Sequence, residues 1–110
     1  MDNQPNDFED LANALRVFAQ RRNWERFHTP KNLAMAVAGE AGELAAEFQW
    51  LTPTESDRSE LSADHLEAIS MEIADVQIYL IRLADVLGID IPGSVRKKIE
   101  VNQTRFKKVD

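Results

Sequence analysis

Apolar positions recur at three- and four-residue intervals through most of the 110-residue chain, and no stretch alternates with the period of two that a strand requires. Leu11, Leu15 and Phe18 set the first stripe, which predicts a helix over Phe8–Arg22 with Asn6 or Asp7 as its cap. Arg21 to Pro30 lacks a period and mixes basic, aromatic and polar residues. Thr29–Pro30 then reads as an N-cap followed by proline at the first helical position, opening a second helix from Pro30 to about Leu51.

That second helix is apolar on more than one side: Leu33, Met35, Val37, Leu44, Phe48 and Trp50 are joined by alanines. Gly39 and Gly42 fall inside it, where each costs about 1 kcal/mol relative to alanine. Such a cost is expected where another backbone or a ligand comes close. Thr52–Ser62 is polar and reads as a connecting loop with room for a short helical turn. A third helix, Asp64–Leu87, is almost continuously apolar from Ile69 onward, which predicts burial on several sides and a central position. Gly88 stops it, and Pro92 opens a fourth helix that runs to about Lys107 with Val95, Ile99, Asn102 and Phe106 on one side. The expected fold is all-α, a four-helix bundle formed by one domain over residues 1–110.

Composition narrows the function. The chain has no cysteine, so disulfides, thiolate nucleophiles and zinc–cysteine sites are excluded. A formal charge of −6 argues against a nucleic-acid polymer as ligand, because tracking phosphates needs a basic face. A small phosphorylated ligand stays open, since a metal ion inverts the sign of an acidic pocket. The acidic, polar start and the lack of a long apolar run predict no signal peptide, no membrane partner and a cytoplasmic protein.

The chemistry is concentrated in two acidic pairs. Glu40-x-x-Glu43 lies on the second helix and Glu72-x-x-Asp75 on the third, both within core-like sequence. Pairs of this kind most often mark a solvated face. Buried, they are costly unless they face water, pair with basic residues or gather around a cation. The segments Leu33–Trp50 and Ile69–Ile81 contain no Lys or Arg, so local pairing is absent. A hard divalent ion with oxygen ligands suits the remaining case, and Tyr79 lies one turn beyond Asp75. Glu47 shares the face of Glu40 and Glu43, as a further ligand or as an outer acid. A di-iron bundle would use the same carboxylates with Glu-x-x-His on its helices; the two acidic helices carry none, and iron is set aside.

The order Glu40-x-x-Glu43, a gap of 28 residues, then Glu72-x-x-Asp75 resembles the MazG-like all-α nucleotide pyrophosphohydrolases. The blocks NWERFHTPKNL, GEAGELAAEFQW, EIADVQIYLIRLAD and KKIEVNQTRF extend the likeness, in order, to the dCTP pyrophosphatase branch, over roughly Arg16–Phe106. The resemblance implies hydrolysis of nucleoside triphosphates to the monophosphate and pyrophosphate, with Mg²⁺ (or Mn²⁺ in its place) on Glu40, Glu43, Glu72 and Asp75. It places Trp24, His28, Trp50 and Tyr79 around the base and sugar; without it, the tryptophans read as core or interface residues and His28 as a loop histidine. Lys98, Asn102 and Arg105 fall in the block that would hold phosphates, or else form an ordinary basic stripe near a helix end. Lys31 and Arg82 are weaker phosphate candidates. The family assembles as dimers or paired dimers, so a homotetramer is expected, in keeping with helices too apolar for a monomer to cover. The alternative from another class is a non-catalytic helical oligomerisation module with structural carboxylates.

Overall fold

The computed structural model describes residues 7–106 and residue 109. Four α-helices make up most of it, with no strand among the described residues: α1 Asp7–Arg21, α2 Pro30–Ala46, α3 Ala63–Leu87 and α4 Ile91–Arg105, plus one 3₁₀ turn over Glu25–Phe27. The expected all-α, four-helix architecture is present. The cap expected at Asn6 and the helix end expected at Lys107 lie outside the described residues.

Among the described residues α1 starts with Asp7, in the first turn with Glu9 and Asp10, where negative charge favours the N-terminal dipole. It ends in a motif the aperiodic text concealed. Asn23 takes a left-handed conformation (φ 57°), the Asn23 N–H bonds the Gln20 carbonyl at 3.1 Å, and the Trp24 N–H returns to the Ala19 carbonyl at 2.9 Å. This is a Schellman ending with asparagine in the place usually taken by glycine. It turns the chain into the 3₁₀ turn and fixes where Trp24 and His28 emerge.

Helix α2 starts as expected: Thr29 Oγ1 accepts from the Asn32 N–H at 3.2 Å and Pro30 opens the helix. Its end differs from the expectation of Leu51. The α-helix stops at Ala46 and continues in tighter turns, with Glu47, Phe48 and Leu51 N–H groups bonding carbonyls three residues back. A long-range contact accompanies this change. His65 Nε2 donates to the Glu47 carbonyl at 2.9 Å, so that carbonyl is satisfied from α3 instead of from residue 51. The loop that follows contains a reciprocal capping box, Thr52 N–H to Glu55 Oε1 at 2.8 Å and Glu55 N–H to Thr52 Oγ1 at 3.2 Å.

Helix α3 is capped by Ser62, whose hydroxyl accepts from the His65 N–H at 3.0 Å, and ends at a left-handed Gly88 (φ 69°). It packs along α2 over much of its length and against α1 near its C-terminal end, while α4 lies extensively on none of the other helices. The buried apolar residues among those described are Ala19, Leu33, Ile69, Ile81 and Ala84, along the seam of α1, α2 and α3. Burial of α3 on several sides does not occur within one chain: Met71, Ile73, Ile78 and Leu87 are exposed. Gly39 and Gly42 also lack the close neighbour their sequence cost suggested, since a Cβ at either would meet nothing within 4 Å.

Candidate active site

Packing α2 against α3 brings the two acidic pairs face to face. Among the described residues, Glu40, Glu72 and Asp75 each offer an oxygen atom within 4.8 Å of the others, all three half-buried. Glu43 is one turn further along α2 and exposed; it stands outside that tight group, yet its charge acts on Glu72. Glu47 also acts on Glu72 and is itself held by His65, whose Nε2 lies 3.3 Å from Glu47 Oε1.

The electrostatics converge on Glu72. Loss of water around its carboxyl pushes its pKa up, and the charges of Asp75, Glu43, Glu40 and Glu47 add to the shift. Its Oε2 is sealed from solvent with no hydrogen-bond partner. A buried acceptor without a donor is costly in a folded protein. Several carboxylates converging on one such oxygen suit a divalent cation of the Mg²⁺ class, which takes oxygen ligands and offsets the mutual repulsion. The donor set is all oxygen, so it fits that class better than zinc or iron.

A second cluster lies further along the same face of α3. Tyr79 is one turn beyond Asp75 and half-buried, and Arg82 two turns beyond, about 10 Å along the axis. Arg82 is only 5% exposed. Its Nη1 donates to Asp85 Oδ2 at 2.9 Å, its Nε donates to His28 Nδ1 at 3.1 Å, and its Nη2 lies 3.8 Å from Glu25 Oε2. With its guanidinium so committed, Arg82 is unavailable as the phosphate contact the sequence suggested, while Lys31 stays exposed. Glu25-x-x-His28 does have the spacing of an iron-binding pair, but it lies on the 3₁₀ turn and faces Arg82, away from any helix-borne pair.

Trp24 sits one turn before His28, half-open to solvent, with its ring edge-on to Phe18 at 5.7 Å. Arg22 lies over the Phe18 ring at 3.5 Å. Trp50, expected on α2, falls in the turns beyond it and is 86% exposed. Lys98 and Arg105 are exposed and Asn102 half-buried on α4, which the fold does not lay against the acidic cluster. The structure thus brings together Glu40, Glu72, Asp75 and, along the same α3 face, Tyr79, Arg82 and His28. The Arg16–Asp85–Arg82–His28 chain of contacts escaped the sequence reading. Its one visible sign was a lone Arg–Asp pair, three residues apart, in an otherwise apolar stretch of α3.

Known proteins are similar to this chain in sequence and in fold. The chain is 41% identical over 98 residues to human dCTP pyrophosphatase 1 and 40% identical to the mouse protein, alignments that take in 89% of this chain and 58% of each relative. The chain therefore spans little more than half the length of these relatives. The crystal structure of a pyrophosphatase from Archaeoglobus fulgidus superposes with a TM-score of 0.86 at 35% identity, over 98% of this chain and 99% of that one. The MazG-like family profile matches residues 36–110, a span that contains both acidic pairs, the loop between them and α4. Carboxylates facing each other across two packed helices, within a fold shared from end to end with the archaeal protein, make this chain a member of the MazG-like family.

Proposed function

We propose that the chain is a divalent-cation-dependent nucleoside triphosphate pyrophosphohydrolase that cleaves between the α- and β-phosphates, with dCTP and related deoxynucleotides as favoured substrates. The observation that carries this is the Glu40–Glu72–Asp75 cluster around the orphaned Glu72 Oε2. The names of the relatives, dCTP pyrophosphatase 1 and a pyrophosphatase, support the same reaction class.

Glu40, Glu43, Glu72 and Asp75 would hold Mg²⁺, with Mn²⁺ as a substitute; Glu43 joins the set by its place one turn from Glu40. A cation bound there supplies charge neutralisation for the triphosphate and a more acidic water. The four carboxylates fix where the phosphate chain lies relative to α3. Tyr79 and His28, further along that face, then meet the sugar and base with Trp24 of the preceding turn, and the exposed Trp50 offers a second stacking surface. Lys98, Asn102 and Arg105 would take phosphate oxygens.

We read the working unit as a homotetramer of paired dimers. The chain exposes 8500 Å², about a third more than a 12.5 kDa monomer usually does. Its radius of gyration of 17.1 Å exceeds the roughly 13 Å of a compact chain of this length. The apolar flank of α3 and the outlying α4 supply surface for a second copy, which would also bring the α4 phosphate ligands to a neighbouring site. No helix among the described residues is long and apolar enough to cross a membrane. On this reading residues 1–110 act as one domain on free nucleotides in the cytoplasm, removing them from the pool.

The test is product analysis across a panel of nucleoside triphosphates, with Mg²⁺ and with chelator. The expected products are monophosphate and pyrophosphate in Mg²⁺ alone, fastest with dCTP. Absence of pyrophosphate from every triphosphate would favour the non-catalytic oligomerisation module instead.

A further inference from the structure

The hydrogen bond from Arg82 to His28 determines more than a contact. Arg82 Nε carries a hydrogen at every accessible pH, so at 3.1 Å its partner, His28 Nδ1, has to present a lone pair. A hydrogen on Nδ1 would set two donors against each other. The imidazole is therefore neutral with its one hydrogen on Nε2, the nitrogen turned away from Arg82. Arg82 can impose this because it is itself immobilised: Asp85 takes Nη1, Arg16 grips the same carboxylate with Nη2 at 2.6 Å and Nε at 3.0 Å, and Glu25 flanks Nη2.

From this geometry we infer that Arg82 is a positioning residue that locks His28 as the Nε2–H tautomer, making His28 a neutral, one-directional hydrogen-bond donor toward the nucleoside end of the site. The assignment of that end rests on the proposed function; the tautomer does not. A donor held in this way favours a base that presents a carbonyl or ring-nitrogen acceptor at that point and opposes one that presents an amino group, because two donors would meet. Aromatic stacking by Trp24 cannot make such a distinction, since every base has a π face.

The charged groups facing the ring agree. Burial lowers the His28 pKa, the Arg82 charge lowers it further, and Glu25 opposes them. Asp85 and Arg16 act on the ring only through Arg82. Protonation of His28 would both add a cation beside Arg82 and place a hydrogen on Nδ1, so it would break the bond that orients the ring.

The chain has two histidines, His28 and His65, so long-range ¹H–¹⁵N spectra of the ¹⁵N-histidine-labelled protein resolve both, with His65→Gln assigning them. Wild-type His28 should show a pyridine-like Nδ1 and a protonated, pyrrole-like Nε2 near neutral pH. In Arg82→Met the ring should become a mixture of tautomers, its pKa should rise, and KM for dCTP should increase about tenfold with kcat largely kept, the scale of one lost hydrogen bond. A protonated Nδ1 in the wild-type spectrum overturns the inference even if Arg82→Met does not fold. So does a folded Arg82→Met protein with the wild-type tautomer. If no triphosphate is cleaved, the reaction assignment fails while the spectrum still decides the tautomer.

Discussion

Arg16 grips Asp85 at two points, with Nη2 on Oδ1 at 2.6 Å and Nε on Oδ2 at 3.0 Å, and so ties α1 to the last turns of α3. The Arg16 hydrogen bond is the main reason the Asp85 pKa is lowered, with the charges of Arg16 and Arg82 assisting against desolvation. A carboxylate whose folded pKa is depressed adds stability above its unfolded value, about 3.9, and that stability is lost as pH falls below it. Asp85→Asn should cost about 3 kcal/mol, because it strands the buried Arg82 charge. Urea titrations at pH 7 and below pH 4 check both points: the gap between wild type and variant should shrink at the lower pH.

Glu72 is predicted to behave in the opposite sense. Its folded pKa is raised, so the metal-free protein loses stability as pH climbs through that range and the carboxyl ionises. Glu72→Gln mimics the protonated state and should melt above wild type in chelator at pH 7. The same variant should lose the upward melting shift that Mg²⁺ gives wild type. A thermal scan of both proteins, with chelator and with Mg²⁺, reads all four values.

Gly39 and Gly42 present open space within one chain, which turns their helix cost into a prediction about assembly. If a second copy covers this face, Gly42→Leu should shift the protein to smaller species in light scattering coupled to gel filtration. The wild-type protein should run as the tetramer. Gly42→Leu with unchanged mass would place the interface elsewhere.

Trp50 carries almost none of the fold, being 86% exposed beyond the end of α2. Trp50→Ala should therefore change unfolding free energy by no more than about 0.5 kcal/mol. Steady-state kinetics should show a several-fold rise in KM for dCTP with kcat retained.

What was legible in the sequence was local or periodic. Thr29–Pro30 and Gly88 mark helix ends through chemistry contained in a few residues, and the structure has them there. The acidic pairs could be matched across a gap because each has the spacing of one helical turn within an apolar stretch lacking basic residues, and α2 and α3 do bring Glu40 to Glu72 and Asp75. The end of α2 at Ala46 was hidden: it carries no local stop signal, and the contact made there comes from His65, 18 residues from Glu47. The lock on His28 was hidden for the same reason: Arg82 is 54 residues away, and only the packed fold makes them neighbours. The asparagine that ends α1 in a left-handed turn was missed because glycine is the usual signal there.

On the proposed function, pyrophosphate release depends on a cation held by the facing carboxylates. The most direct measurement is Mg²⁺-dependent pyrophosphate release from dCTP by wild type and Asp75→Asn, side by side, with far-UV circular dichroism on both. Wild type should release pyrophosphate only with Mg²⁺, and Asp75→Asn should release essentially none while keeping its helical spectrum. Turnover retained in a folded Asp75→Asn protein, or turnover by wild type in chelator, would contradict the account.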